Sequence, residues 1–249
     1  MQKRNWLLQK NKNPEPDDLF LKKILQRDAL LNLSQCIVAD DPLSCGADFL
    51  PVGDIPFVGQ WLQTYYKKQM LPIEVPTVLR TKEYLGRSYT IIDRDKLPSY
   101  EDSSRKYFVK NISQLKTFHS ALYEGVIPNP STLPPGKYLL SGWLDIRAEF
   151  RIFVLHDKVL GIQPYLGSPL AFPNPQKVLR MVNDYKQDHW RPEAYTMDVA
   201  VICRKDQTAD TVILEIHPFV SCGLYGFYDM DVPNMLEAGL QYYIKHQEE

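Results

Sequence analysis

The residues best suited to chemistry lie toward the C-terminal end. Asp198 sits in Tyr195-Thr-Met-Asp198-Val-Ala, and Glu215 and His217 sit in Val212-Ile-Leu-Glu215-Ile-His217-Pro-Phe. Between these two β-rich runs, Arg204-Lys-Asp-Gln-Thr-Ala-Asp210 reads as a hairpin connection. Alternation along a strand puts Glu215 and His217 on one face. A turn centred near Gln207 sets Asp198 opposite His217. Two carboxylates and an imidazole on one face have two readings. They are the wet face of an antiparallel sheet, or they bind a cation that in turn holds phosphates. Charged side chains are mostly exposed in any protein, so the triplet alone favours the wet face.

Two more places carry chemistry. Lys110 closes Lys106-Tyr-Phe-Val-Lys110, and a lysine at a strand end is a point charge suited to phosphate, or simply a solvated side chain. In Ala148-Glu149-Phe-Arg151-Ile-Phe-Val, Glu149 and Arg151 share a strand face. Such a pair is either a surface ion pair of little worth or an arginine fork held by a carboxylate and aimed at phosphate. The sequence has no GxxxxGK[ST] and no GxGxxG, so the usual glycine-rich nucleotide loops are missing. GxSxG and HExxH are missing too.

The elements that must position these residues follow from periodicity and caps. Residues 1–16 read as a loose polar lead-in. Asp17 or Asp18 is expected to cap a helix bearing Leu21, Ile24, Leu25 and Leu31. Cys36-Ile-Val-Ala reads as a strand, and Asp54 with Pro56 opens a helix with Phe57, Trp61 and Tyr65 on one stripe. A β-like run covers residues 87–93, and a boundary is expected near residues 99–104, dividing a region 1–98 from a region 99–249. Beyond it come a strand at 106–110, a helix capped by Ser113 with Leu115, Phe118 and Leu122, and a proline-rich loop at 125–136. Strands follow at 137–146, 149–155 and 159–165, turned by His156-Asp157-Lys158. Asn174-Pro175 opens a helix with Val178, Met181 and Tyr185. After the acidic hairpin, Asp231 with Pro233 opens a last helix with Leu236, Leu240 and Tyr243. Strand runs beside separate helices indicate an α+β protein.

Composition narrows the classes. The chain has 249 residues and a formal net charge of −1, so no global basic field indicates nucleic acid or anionic membrane. No apolar run approaches the ~20 residues of a membrane span. The N-terminus lacks the apolar core of a secretory signal. Cys36, Cys45, Cys203 and Cys222 show no CxxC spacing, which suits free thiols in a reducing cytoplasm rather than zinc.

The order of the motifs resembles the ATP-grasp superfamily, and within it a clade found largely in phages and bacteria and named for two arginines and a lysine. The resemblance is carried by Pro51-Val-Gly-Asp-Ile-Pro-Phe-Val, Tyr84-Leu-Gly-Arg87, Tyr107-Phe-Val-Lys110, Ala148-Glu-Phe-Arg-Ile-Phe-Val154, Met197-Asp-Val-Ala, and Leu214-Glu-Ile-His-Pro-Phe with Ser221-Cys-Gly-Leu-Tyr225-Gly. It implies two α+β lobes gripping ATP behind a small N-terminal α/β domain. It also implies a carboxylate–amine ligase that works through an acylphosphate and releases ADP and phosphate, on small-molecule or peptide substrates.

Carried over by position, Lys110 would bind the α/β phosphates. The strand from Tyr138 to Ile146, with Leu140, Ser141 and Trp143, would form the hinge that meets adenine through backbone groups. Arg151 would contact the γ-phosphate or acylphosphate, oriented by Glu149, and Arg87 would replace an N-terminal phosphate-binding lysine. Asp198 and Glu215 would hold Mg²⁺. His217 stands where most of the superfamily has Asn. Imidazole suits transition metals better than Mg²⁺, so His217 as a third ligand would favour Mn²⁺. A nucleotide-binding protein that kept the fold and lost the activity is the second reading. A generic α+β binding domain is the third.

Overall fold

A computed structural model describes residues 3–71, 74–100, 106–113, 121–124, 129–168 and 170–245. The chain opens with strand β1 (Asn5–Gln9), helix α1 (Pro16–Leu31), strands β2 (Cys36–Ala39) and β3 (Phe49–Val52), and helix α2 (Ile55–Tyr66). The three strands form a parallel sheet in the order β2-β1-β3. The expected loose lead-in is therefore corrected. Trp6, Leu7 and Leu8 are all buried, because a central parallel strand is covered on both faces and takes a continuous apolar run. Helix α1 starts slightly earlier than expected. Glu15 caps it in a reciprocal box in which the Asp18 carboxylate accepts the Glu15 N–H at 2.8 Å. Asp54 caps α2, accepting from the Phe57 N–H at 2.9 Å.

The second sheet is antiparallel. Short helix α3 (Lys82–Leu85) leads into β4 (Tyr89–Asp93), which pairs with β7 (Lys137–Gly142). Strand β5 (Lys106–Asn111) lies on the other side of β7, and β6 (Ala121–Glu124) forms the edge. Because β4 belongs to this sheet, the sheet crosses the boundary expected at residues 99–104. Most of the helix expected after Ser113 lies outside the described residues. Its last expected member, Leu122, is in β6, opposite Phe108.

The third sheet is a four-stranded antiparallel meander with one swap, in the order β11-β10-β8-β9. Its strands are β8 (Ile146–Leu155), β9 (Lys158–Gly167), β10 (Ala194–Cys203) and β11 (Ala209–Pro218). Helices α4 (Pro175–Tyr185) and α5 (Val232–Lys245) complete the chain. His156 and Asp157 both have positive φ, 47° and 61°, as a tight hairpin turn needs. One face of the sheet packs Phe150, Ile152, Met197, Val199 and Ile216 against Val178, Met181 and Tyr185 of α4. The other face is divided. At one end Phe153, Leu155 and Ala194 join Trp6, Leu25, Phe219 and Met235 in a core shared with the N-terminal sheet and α5. At the other end Ala200, Ile202 and Val212 cluster. The polar residues lie between these two apolar ends. Among the described residues no helix is long and apolar enough to cross a membrane.

Candidate active site

Two β-bulges build the polar stretch. Up to Val199 the β10–β11 hairpin pairs Ala200 with Val212 and Val199 with Ile213, but the next pair is Asp198 with Glu215. Leu214 is the extra residue. Without it Glu215 would alternate onto the α4 face, since one residue of slip flips every side chain. The bulge brings Glu215 opposite Asp198 and His217 opposite Thr196. This corrects the expected register of Asp198 against His217: the turn is tighter, closing from Cys203 to Ala209. A second bulge, between Glu149 and Phe150 on β8, leaves Tyr165 of β9 without a ladder partner and turns it toward Glu149.

Arg151 faces Asp198 across the β8–β10 ladder. Its Nε and Nη2 donate to the two carboxylate oxygens at 2.8 and 2.7 Å, and Nη1 donates to the Gly223 carbonyl at 3.1 Å. Both side chains are buried, at 9% and 2% exposure. Burial alone would lower the Arg151 pKa, but the Asp198 hydrogen bonds outweigh it and hold the guanidinium charged beyond its ordinary range. The rings of Tyr165 and Tyr225 lie 5.9 and 5.0 Å from its Cζ. The arginine fork is thus real, but the carboxylate that holds it is Asp198 and not Glu149. A direct cross-strand neighbour stands about 5 Å away, while the next residue on the same face of the same strand is about 7 Å along. Glu149 instead accepts the Tyr165 hydroxyl. Burial, then Asp198 and Glu149, keep that phenol far above its ordinary pKa and so protonated.

Lys110, Glu215 and His217 form the second cluster. Lys110 Nζ lies 2.7 Å from Glu215 Oε2, and His217 Nε2 lies 3.2 Å from Glu215 Oε1. Burial alone would raise the Glu215 pKa. His217 and Lys110 together overcome it and hold the carboxyl well below the usual range.

Arg87 reaches the same region from the loop after α3. Gly86 makes the turn in left-handed conformation, where an added Cβ would come within 2.6 Å of Val212. The Arg87 guanidinium donates to the Leu85 and Ile213 carbonyls at 3.0 and 2.7 Å. Burial pushes its pKa down to about 10, with no carboxylate acting on it. It remains a cation at neutral pH, desolvated and neutralised only by carbonyl dipoles.

These groups border a cavity of ≈ 420 Å³ between the second and third sheets. Phe108, Leu122, Leu139, Leu144, Ile146 and Leu214 supply an apolar wall, and Arg87, Lys110, Glu149, Tyr165 and Glu215 supply a polar end. Arg151 and Asp198 lie under that end and not in the wall. Of the residues expected at a hinge, Ser141 and Trp143 line the cavity. Leu140 points away, into the core with Tyr138 and Val109. The strand expected to run from 137 to 146 breaks after Gly142. Leu140 and Ser141 are paired with both β4 and β5, so their backbone groups are used by the ladders. The first main chain beyond the ladder is at residues 143–145, beside the exposed Trp143 ring.

The donors can be tested against a metal ion. Asp198 and Glu215 face each other and offer four carboxylate oxygens, now held by Arg151, Lys110 and His217. Among the described residues no three His, Cys, Asp or Glu side chains gather to hold an ion. Two carboxylates fit Mg²⁺, which takes its other ligands from phosphate and water. A three-residue cage including His217, as a transition metal would favour, is not assembled.

Residues 84–235 match the sequence profile of an ATP-grasp domain, family 2 of the clade named for two arginines and a lysine. The chain belongs to that family. ATP-grasp folds also dominate the solved structures similar to it. The RimK domain ATP-grasp protein of Sphaerobacter thermophilus aligns over 96% of this chain and 99% of its own, with a TM-score of 0.53 and 11% identity. D-alanine–D-alanine ligase of Bacillus anthracis aligns over 97% and 99%, with a TM-score of 0.52 and 10% identity. The ATP-grasp ligase PsnB, complexed with a minimal precursor, Mg and ADP, aligns over 94% and 96%, with a TM-score of 0.52 and 12% identity. At these identities the likeness shows the fold alone. No curated protein matches the sequence.

Within this ATP-grasp chain three site residues escaped the motif reading: Tyr165, Tyr225 and Asp17. Tyr165 is placed by a bulge that strict alternation does not foresee. Tyr225 stands in the quoted Ser221-Cys-Gly-Leu-Tyr225-Gly run, and its φ of 51° turns its ring onto Arg151. Asp17, read as a helix cap, accepts backbone N–H groups from that loop instead.

Proposed function

We infer that this protein binds ATP with Mg²⁺ in the cavity between its second and third sheets and uses it to activate a carboxylate for attack by an amine. The observation that carries the reading is the cavity's division. An apolar wall with Trp143 at its rim suits a purine, and Arg87 and Lys110 at the other end suit phosphates. Arg87 is the clearest of these, a desolvated guanidinium with no carboxylate partner. Lys110 would take the α/β phosphates, Arg87 would lie along the chain of phosphates, and Arg151 would meet the transferring phosphoryl group. Main-chain groups at residues 143–145 would meet the base. Asp198 and Glu215 would hold Mg²⁺, which when bound neutralises phosphate charge. Positioning and charge neutralisation are what phosphoryl transfer needs from a protein.

Each resident ion pair then has a double use. Phosphate oxygens would replace the carboxylates at Lys110 and Arg151, as the metal would replace the cations at Glu215 and Asp198. The carboxylate and amine substrates would be small molecules or a peptide. A coupled assay for ADP formation with candidate substrates tests the reaction.

A second reading, a nucleotide-binding protein without turnover, is favoured by one observation. His217 holds Glu215 where an ordinary member has Asn, and so competes with the metal for that carboxylate. Saturable ATP binding without ADP formation across a broad substrate panel would select it.

A further inference from the structure

We propose that Asp17, at the start of α1, is a positioning residue for Arg151, acting through the loop that follows β11. The proposal rests on the phosphate-facing role of Arg151 argued above. The Asp17 carboxylate accepts three successive backbone N–H groups: Leu224 at 3.2 Å, Tyr225 at 2.9 Å and Gly226 at 3.3 Å. The Tyr228 hydroxyl adds a fourth hydrogen bond, and the Tyr228 ring stacks on Phe20 of α1 with centroids 4.6 Å apart. Three residues of this loop have left-handed backbones: Ser221 at φ 53°, Tyr225 at 51° and Gly226 at 83°. Two of them carry side chains that disfavour that conformation, so the loop needs an outside anchor to keep its shape.

The same loop makes the remaining contacts to Arg151. Gly223 accepts its third hydrogen bond at 3.1 Å, and Tyr225 covers its face at 5.0 Å while stacking on Tyr165, also at 5.0 Å. Behind the loop lies a second cavity of ≈ 420 Å³, lined in part by Asp17, Ser221, Gly223 and Leu224. The loop is therefore backed by space and not by packed core. Its shape is set by Asp17 on one side and Arg151 on the other. Asp198 fixes the plane of the guanidinium from within the sheet. Asp17 fixes, from another part of the chain, the surface that Arg151 must leave or keep as it turns to a phosphate.

The test uses Asp17→Asn, which keeps size and one acceptor oxygen but removes the charge. ADP affinity reads the cavity and Lys110, and the ratio of ATP to ADP affinity reads the γ-phosphate contact of Arg151. In Asp17→Asn that ratio falls about tenfold, the low end for one charge-assisted hydrogen bond, while ADP affinity holds. Amide exchange at Leu224, Tyr225 and Gly226 accelerates, and exchange along β11 does not. In an Arg151→Ala background the substitution no longer alters the ratio. Unchanged loop exchange, or an unchanged ratio in a parent that prefers ATP, overturns the proposal. An equal loss of ATP and ADP affinity with a lowered melting temperature also overturns it, since that is a purely structural effect. A parent that binds neither nucleotide removes the reading of the site and this proposal with it.

Discussion

Arg151 and Asp198 stand opposite each other in the β8–β10 ladder and are joined by two hydrogen bonds of 2.8 and 2.7 Å. The pair is buried, so its partners depend on each other. Arg151→Ala leaves a buried carboxylate without a counterion and is expected to cost about 3–5 kcal/mol of stability. Replacing both residues, as Arg151→Met with Asp198→Leu, recovers most of that loss and abolishes function. Urea denaturation of the three proteins checks both statements. Arg151→Lys keeps the charge without the planar fork and should lose most turnover.

Glu215 sets the acid side of the stability curve. Its carboxyl is held below the ordinary glutamate value of 4.5 by His217 and Lys110. A depressed folded-state pKa contributes stability that is present above the unfolded value and lost as pH falls through the folded one. Stability should therefore decline as pH drops below about 4.5. In Lys110→Ala that decline should be shallower, because one of the two groups depressing the carboxyl is gone. Denaturation midpoints measured from pH 6 down to pH 3 read the slope; equal slopes in the two proteins would show that Lys110 does not act on Glu215.

Much of this arrangement is legible in the sequence. Lys110, Arg151, Asp198 and Glu215 stand out because each charged residue interrupts an otherwise apolar β-run. The structure places all four on surfaces facing one region. The partnership of Arg151 is not legible. Glu149 is the nearest acid along the chain, but Asp198, 47 residues away, is nearer in space. The bulges at Leu214 and Tyr165 are not legible either, since a bulge inserts a residue without a required residue type at either place. Strand β1 is hidden by its charged flanks, which leave only Trp6-Leu7-Leu8 as a signal.

His217 is expected to leave metal preference alone. Its Nε2 is engaged by Glu215, and the described residues form no three-ligand cage. His217→Asn should free one Glu215 oxygen and strengthen Mg²⁺-dependent nucleotide binding, with the Mg²⁺ to Mn²⁺ ratio unchanged. Parallel metal titrations check this. A shift of preference toward Mg²⁺ in the variant would show that the imidazole coordinates the ion.

Trp143 is half exposed, lies at the cavity rim and has Lys106 Nζ 5.9 Å from its ring. Removing the ring in Trp143→Ala should weaken ATP by roughly 1–3 kcal/mol, the scale of base–aromatic stacking. The fold should be unaffected, because the side chain buries little. Fluorescence of the parent should change on nucleotide addition, and the variant should lose most of that change.

Nucleotide binding at Lys110 is the central claim, and calorimetric titration of ATP with Mg²⁺ tests it most directly. The parent should show a single saturable site. Lys110→Ala should bind at least about tenfold more weakly, on the scale of one charge-assisted contact, with its melting temperature near that of the parent. No binding by the parent, or equal affinity in parent and variant, would contradict the account.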